Sequence, residues 1–211
     1  MPWPQGSTLA REIAKGEQAL LVDLTADLAG QEEGSRPDAV EAQFGVSLLD
    51  GLHSLSSEIA SVVHALLSSE RHHAAVRADS SLAPQAFYEG ARLHPAVTLT
   101  QRHALQDFEY AGVVIPQGTA VTMAWLFGNR DPEVFDGPND YKFDRPNRRQ
   151  TTFGGGFYIC PGRNVVKLLC ETVITALTAP SVEIVATGDA NWVSGSGLHE
   201  IERMPVSIRR H

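Results

Sequence analysis

The sequence predicts a mainly α-helical protein with a minor β portion, and two observations support this class. Apolar residues recur every three or four positions from about residue 38 to residue 69, as in Leu48, Leu52 and Ile59. A second helical repeat, RNVVKLLCETVITALTA, covers residues 163–179. Strand signals are fewer and shorter, because β-branched residues gather only between residues 97 and 123 and near the end of the chain.

The elements are predicted in the following order. A first helix over residues 11–30 ends at Gly30, and the long helix of residues 38–69 follows it. SLAPQAFYEGARLHP predicts a third helix that stops before Pro95, because the residue ahead of a proline disfavours helical geometry. Short strands come next, followed by an irregular stretch rich in Asp, Asn, Pro and Gly over residues 129–150. After the last helix, VEIVA and MPVSIRR are strand candidates.

Composition narrows the classes of function. The 211 residues, 43% hydrophobic and 20% charged, are enough to bury one core, so we expect a single domain over residues 1–211. A formal net charge of -8 argues against nucleic acid and anionic membranes as partners, since both bind basic surfaces. No apolar run is long enough to span a membrane, and Met1–Gly16 lacks the order of a signal peptide. We therefore expect a soluble cytoplasmic protein.

The stretch FGGGFYICPGR, Phe153–Arg163, carries a single cysteine, Cys160, on a glycine-rich loop directly before a helix. Backbone N–H groups and the positive end of the helix dipole would favour a thiolate there, which suits a nucleophile or a metal ligand. A nucleophile needs a histidine base, and neither His103 nor His199 shares a motif with this loop. Zinc would lack further ligands, and no Gly-Lys-Ser/Thr follows to hold a phosphate. One axial thiolate on a haem iron requires only one cysteine.

The loop resembles the haem-binding signature F-G-x-G-x-(H/R)-x-C-x-G of the cytochrome P-450 family, with Tyr158 where that family usually has His or Arg. Two further matches stand upstream in the family's order. Glu89-Gly90-Ala91-Arg92 resembles its E-x-x-R motif. Asn129-Arg130-Asp131-Pro132, with Phe143-Asp144-Arg145-Pro146, resembles its meander, whose arginine would complete a buried network with Glu89 and Arg92.

The resemblance implies a shortened cytochrome P-450-like fold with a distal I-type helix, a K-type helix, a meander, the cysteine loop and an L-type helix. It implies haem b (iron protoporphyrin IX) as cofactor and Cys160 as the metal ligand. Arg102 stands where the family places an arginine on a haem propionate, although a surface arginine on a strand fits the sequence equally well. The other residues implied to hold the cofactor are Phe153, Gly154, Gly156, Tyr158, Gly162 and Gly51.

The distal helix departs from the family's A-G-x-(D/E)-T motif, because the chain has Asp50-Gly51-Leu52-His53-Ser54. The resemblance implies catalytic roles for His53 in place of the acid and Ser54 in place of the threonine. Histidine can move protons near neutral pH, and serine keeps a hydroxyl donor. A histidine and a serine that merely flank a buried helix are the alternative.

The motifs begin only about forty residues into the chain, so the resemblance covers the C-terminal half of a family member. A truncated product, one half of a split protein and a compact protein with another task are the three explanations. The resemblance implies a monooxygenase that inserts one oxygen atom into an apolar small molecule with electrons from a reductase or ferredoxin. A non-catalytic auxiliary or binding protein is the alternative. In either case we expect a protein partner or self-association to cover the exposed haem side.

Overall fold

The computed structural model describes residues 39–145, 149–195 and 197–211, and only the backbone for residues 39–50 and for Ser194. The predicted first helix at residues 11–30 lies outside these residues. Residues 50–211 form one compact unit, and every site residue discussed below belongs to it.

The helices of the described residues agree with the predicted long helix, third helix and last helix. They are α1 (Ala39–Leu67), α2 (Glu70–Ala78), α3 (Ala83–Leu93), α4 (Trp125–Gly128) and α5 (Arg163–Leu177), with 3-10 turns at Ser80–Leu82 and Gly156–Tyr158. The sequence analysis did not predict α2, because Val76 is its one buried residue and its apolar repeat is weak. None of the described helices is long and apolar enough to cross a membrane.

Eight strands in the described residues pair as four separate two-stranded antiparallel ribbons. They are β1 (Leu99–His103) with β4 (Ala120–Ala124), β2 (Phe108–Tyr110) with β3 (Val113–Ile115), β5 (Val182–Ala186) with β8 (Val206–Arg210), and β6 (Asn191–Gly195) with β7 (Leu198–Arg203). Ala111 and Gly112, both at positive φ, form the two-residue turn between β2 and β3. The pair β6 and β7 was not predicted from the sequence.

The main core lies where α1, α2, α3 and α5 meet. Its fully buried members include Val62, Val76, Phe87 and Ile174. Gly90 allows α3 to approach α1 closely, because a Cβ there would lie 3.0 Å from the Cα of Val62. This packing holds the two helices that carry the distal segment and the E-x-x-R motif against each other.

Candidate active site

A buried ion cluster links α3 to the irregular segment that follows α4. Arg92 Nε and Nη2 donate to the two carboxylate oxygens of Glu89 over 2.8 and 2.9 Å. Arg145 Nε donates to Glu89 Oε2 over 2.8 Å. All three side chains are at most 6% exposed. The pairing predicted from the E-x-x-R motif and the meander is therefore confirmed.

The remaining donors of both guanidinium groups bind backbone carbonyls of the meander. Arg92 donates to the carbonyls of Asn129, Pro138 and Asp140, and Arg145 donates to those of Asp136, Gly137 and Asp140. Burial alone would raise the pKa of Glu89, but hydrogen bonds from Arg92, Arg145 and the Lys142 N–H outweigh it and hold that pKa below its ordinary value. The cluster thus fixes the irregular segment that leads into the cysteine loop.

The cysteine loop turns back on itself ahead of α5. The Cys160 N–H donates to the Phe153 carbonyl over 2.8 Å, and the Gly154 N–H donates to the Thr151 carbonyl over 2.8 Å. Gly154 has a φ of 68° and Gly156 has a φ of 63°. Residues with a side chain rarely adopt this region of backbone conformation. A Cβ on Gly154 would also lie 3.2 Å from the Tyr158 carbonyl oxygen. The glycines therefore permit the turn that presents Cys160.

Cys160 borders a cavity of about 170 Å³. The cavity is lined from α1, β1, α4, the cysteine loop, α5 and the turn after α3. Its lining residues are Ser54, Glu58, Ala96, Val97, Thr100, Arg102, Trp125, Thr152, Phe153, Gly154, Tyr158, Cys160 and Val166. Residues more than a hundred positions apart in the chain therefore share one cavity.

Six of the ten site residues named from the sequence line this cavity: Ser54, Arg102, Phe153, Gly154, Tyr158 and Cys160. The other four, Gly51, His53, Gly156 and Gly162, are not among its lining residues. Gly156 begins the 3-10 turn of the loop, and Gly162 immediately precedes α5. A Cβ on Gly162 would lie 3.8 Å from Cys160 Sγ, whereas one on Gly51 would meet nothing within 4 Å.

On the distal helix, the two residues predicted to be catalytic have different surroundings. The Ser54 hydroxyl donates to the Gly51 carbonyl over 3.2 Å and lies in the cavity wall. The His53 side chain is 63% exposed, and its Nε2 lies 2.9 Å from Glu200 Oε2 on β7. Ser54 is thus available to a molecule in the cavity, while His53 is directed to Glu200.

Also in the cavity wall, Arg102 of β1 pairs with an aromatic residue of the cysteine loop. The Arg102 guanidinium carbon lies 4.9 Å from the centre of the Tyr158 ring, a cation–π distance. Its Nη1 donates to the Gln101 carbonyl over 2.8 Å, which leaves other N–H groups for an anion. Arg102 is therefore both an exposed strand residue and part of the cavity wall.

Sequence reasoning missed Glu58, an acid of α1 that lines the cavity four residues after Ser54. It is only 4% exposed, and its Oε2 accepts a hydrogen bond from the Ala96 N–H over 2.8 Å. The sequence did contain a signal for it, because Glu58 stands on the apolar stripe of α1. Burying a carboxylate there is energetically unfavourable unless the group is paired.

Comparison with known proteins identifies the family. The cytochrome P-450 family model matches residues 53–177. The chain is 32% identical to 6-deoxyerythronolide B hydroxylase of Saccharopolyspora erythraea over 166 residues, which are 77% of this chain and 41% of that protein. It is 32% identical to the C-19 steroid 1alpha-hydroxylase of Sorangium cellulosum over 180 residues, 81% of this chain and 46% of that protein.

Solved structures agree on the fold. CYP164A2 of Mycobacterium smegmatis in its ligand-free state superposes with a TM-score of 0.78 at 24% identity, covering 96% of this chain and 56% of that one. The fold is thus the helical, minor-β architecture of the cytochromes P-450. The chain belongs to the cytochrome P-450 family, and it spans less than half the length of the curated relatives it matches.

Proposed function

We propose that this chain is the haem-binding part of a cytochrome P-450-type monooxygenase that inserts one oxygen atom into an apolar small molecule. The observation that carries the proposal is the cavity that brings Cys160 together with Ser54 and Arg102. The Cys160 thiolate would bind a haem iron, the Ser54 hydroxyl would face a ligand on the distal side, and the Arg102 cation would bind a propionate.

The donor set of the cavity fits a haem, which we propose to be haem b, and each residue would have a distinct task. Cys160 would bind the iron through its sulfur, and Arg102 would donate to a propionate carboxylate while it rests on Tyr158. Phe153 and Val166 supply apolar surface to the macrocycle. Gly154 and Gly156 hold the loop in a turn that other residues rarely adopt, and Gly162 leaves the space beside the sulfur free of a side chain.

When bound, haem supplies oxygen activation with electrons from a separate reductase or ferredoxin. The residues of this chain would then donate hydrogen bonds and move protons near the bound molecule. The Ser54 hydroxyl can turn from the Gly51 carbonyl toward a molecule in the cavity, since that bond of 3.2 Å is long. His53 with Glu200 would exchange protons with solvent at the outer side of α1.

The small volume of the cavity and the exposed apolar residues near it suggest that another protein covers this part of the molecule. Cavities that enclose drug-sized ligands measure about 300–1,000 Å³. A volume of about 170 Å³ therefore encloses only part of a porphyrin, and the rest would extend beyond the cavity. Phe157, Leu168 and Val165, in or near the cysteine loop, are 104%, 64% and 56% exposed. We propose that a protein partner or a second copy covers this side.

An apolar substrate agrees with the relatives, whose names include a 6-deoxyerythronolide B hydroxylase and a C-19 steroid hydroxylase. A non-catalytic auxiliary protein is the second candidate, and the direction of His53 away from the cavity favours it.

Haem titration of the purified protein tests the proposal. Wild type should bind one haem with a thiolate absorption spectrum, and C160S should lose that spectrum. C170A is the matched control, because Cys170 is the other free thiol and is buried in the core. A thiolate spectrum that persists in C160S would contradict the proposal, and monooxygenation of an apolar substrate by wild type alone would distinguish the enzyme from the auxiliary protein.

A further inference from the structure

Glu58 places an acid in the cavity beside the predicted hydroxyl. Residues four apart lie on the same face of a helix, so Ser54 and Glu58 are neighbours along α1. Both line the cavity that Cys160 borders. Among the distal-motif residues whose side chains the structure describes, none supplies an acid to this cavity, since His53 is not among the lining residues and lies 2.9 Å from Glu200.

Only one of the two oxygens of the Glu58 carboxyl group takes part in a hydrogen bond with the described residues. Its Oε2 accepts from the Ala96 N–H over 2.8 Å, which joins α1 to the turn after α3. Its Oε1 is buried and has no hydrogen-bond partner among the described residues. Leaving a buried polar atom unpaired costs about 1–3 kcal/mol. If Glu58 served only to join α1 to the turn after α3, the fold would be more stable without this second oxygen.

The protonation state makes Glu58 a donor. Burial raises the pKa of Glu58 to about 8, although the hydrogen bond from Ala96 opposes the shift. The titratable or charged groups around it are Cys170 of α5, whose thiol senses the Glu58 charge, and Arg102 and Cys160 of the cavity wall. Near neutral pH the side chain is a carboxylic acid with one O–H to donate.

We propose that Glu58 is the acid of this cavity and donates a hydrogen bond, and then its proton, to an oxygen atom of a ligand bound beside Ser54. The O–H bond of Glu58 breaks, the ligand oxygen gains the proton, and the carboxylate takes a proton back from water. The Ala96 N–H remains bonded to Oε2 throughout and holds the carboxyl group in place. This inference rests on the proposed function, because the ligand would be one held on the haem.

E58Q is the variant that separates an acid from a structural contact. Glutamine keeps the size of the side chain and an oxygen to accept from the Ala96 N–H, but it has no acidic proton. E109Q is the matched control, because it makes the same chemical change on the exposed strand β2.

The first measurement is the infrared spectrum of the haem-free protein near neutral pH. Wild type and E109Q should show the carbonyl stretch of a protonated carboxylic acid, which should vanish in E58Q and fade as pH rises through about 8. A wild-type spectrum without this band, or a band that persists in E58Q, would overturn the inference and leave the haem proposal intact.

The second measurement is the C–O stretching frequency of carbon monoxide bound to the reduced, haem-loaded protein. A hydrogen bond from the Glu58 carboxylic acid should shift this frequency in wild type, and the shift should be lost as pH rises through about 8. E58Q can still donate through its amide N–H groups but has no proton to lose, so its frequency should not change with pH. An identical, pH-independent frequency in wild type, E58Q and E109Q would overturn the inference alone. Failure to form a thiolate-bound carbon monoxide complex would overturn the proposed function and this inference with it.

Discussion

The Arg102 guanidinium carbon lies 4.9 Å from the centre of the Tyr158 ring, so that a strand residue and a loop residue form one wall of the cavity. Tyr158 stands at the position where the resemblance leads one to expect a cation. In the proposed site Arg102 is therefore the basic residue assigned to a propionate, and the Tyr158 ring supports its guanidinium group through a cation–π contact.

Replacing Arg102 by glutamine should weaken haem binding about 10- to 150-fold, because a charge-assisted hydrogen bond contributes about 1.5–3 kcal/mol. Haem titration followed by absorbance measures the affinity. R209Q, on the exposed end of β8, is the control and should bind haem like wild type. Equal affinities for wild type and R102Q would show that Arg102 is only a surface residue.

Replacing Gly154 by alanine should destabilise the cysteine loop by about 1–2 kcal/mol, because a side chain disfavours positive φ. Gly154 has a φ of 68°, and its added Cβ would crowd the Tyr158 carbonyl at 3.2 Å. G155A is the matched control, since the next glycine has an extended φ of -162° and no atom within 4 Å of an added Cβ. Thermal unfolding and haem affinity should both fall in G154A. Comparable values for the two variants would contradict the account of this turn.

Replacing Glu89 by glutamine should lower the free energy of unfolding by about 3–5 kcal/mol, because it leaves two buried guanidinium groups without their anion. Urea denaturation of the haem-free protein measures this loss. The exposed change E109Q should cost less than about 0.5 kcal/mol. If E89Q unfolds at the same urea concentration as wild type, the cluster does not stabilise the fold.

A histidine cluster around Trp192 should make the protein sensitive to mild acid. The ring of His94 lies 5.6 Å from that of Trp192, and His64 and His199 contact the same indole at 5.1 and 4.3 Å. Burial, together with the charges of His64, Arg130 and His199, lowers the pKa of His94 to about 4.

The unfolded chain binds this proton below about pH 6.5, whereas the folded chain resists it down to about pH 4. The free energy of unfolding should therefore fall as pH drops from about 6.5 to 4, and H94Q should flatten that decline. Urea denaturation at a series of pH values measures it. An H94Q variant with an unchanged slope would show that other groups cause the sensitivity.

Sequence reasoning predicted those parts of the fold that local patterns encode. The apolar repeats predicted α1, α3 and α5, and the family motifs predicted the pairing of Glu89 with Arg92 and Arg145. The strands β6 and β7 were missed because their alternation of apolar and polar residues is weak, and Trp192 is half-buried against histidines that lie far away in the chain.

The site residues that belong to a sequence motif could be predicted, whereas those brought to the site by tertiary packing could not. Cys160 and its glycines follow from the loop sequence. Glu58 does not, because an acid on an apolar helix is explained only by the Ala96 N–H, which lies 38 residues away in the chain. The direction of His53 likewise depends on Glu200, which lies 147 residues away.

The measurement that most directly tests the central claim is the absorption spectrum of the haem-supplemented protein, reduced and exposed to carbon monoxide. The account predicts a strongly red-shifted Soret band that C160S abolishes and C170A retains. A folded protein that binds no haem, or binds it with an unshifted band, would contradict the assignment of Cys160 as the iron ligand.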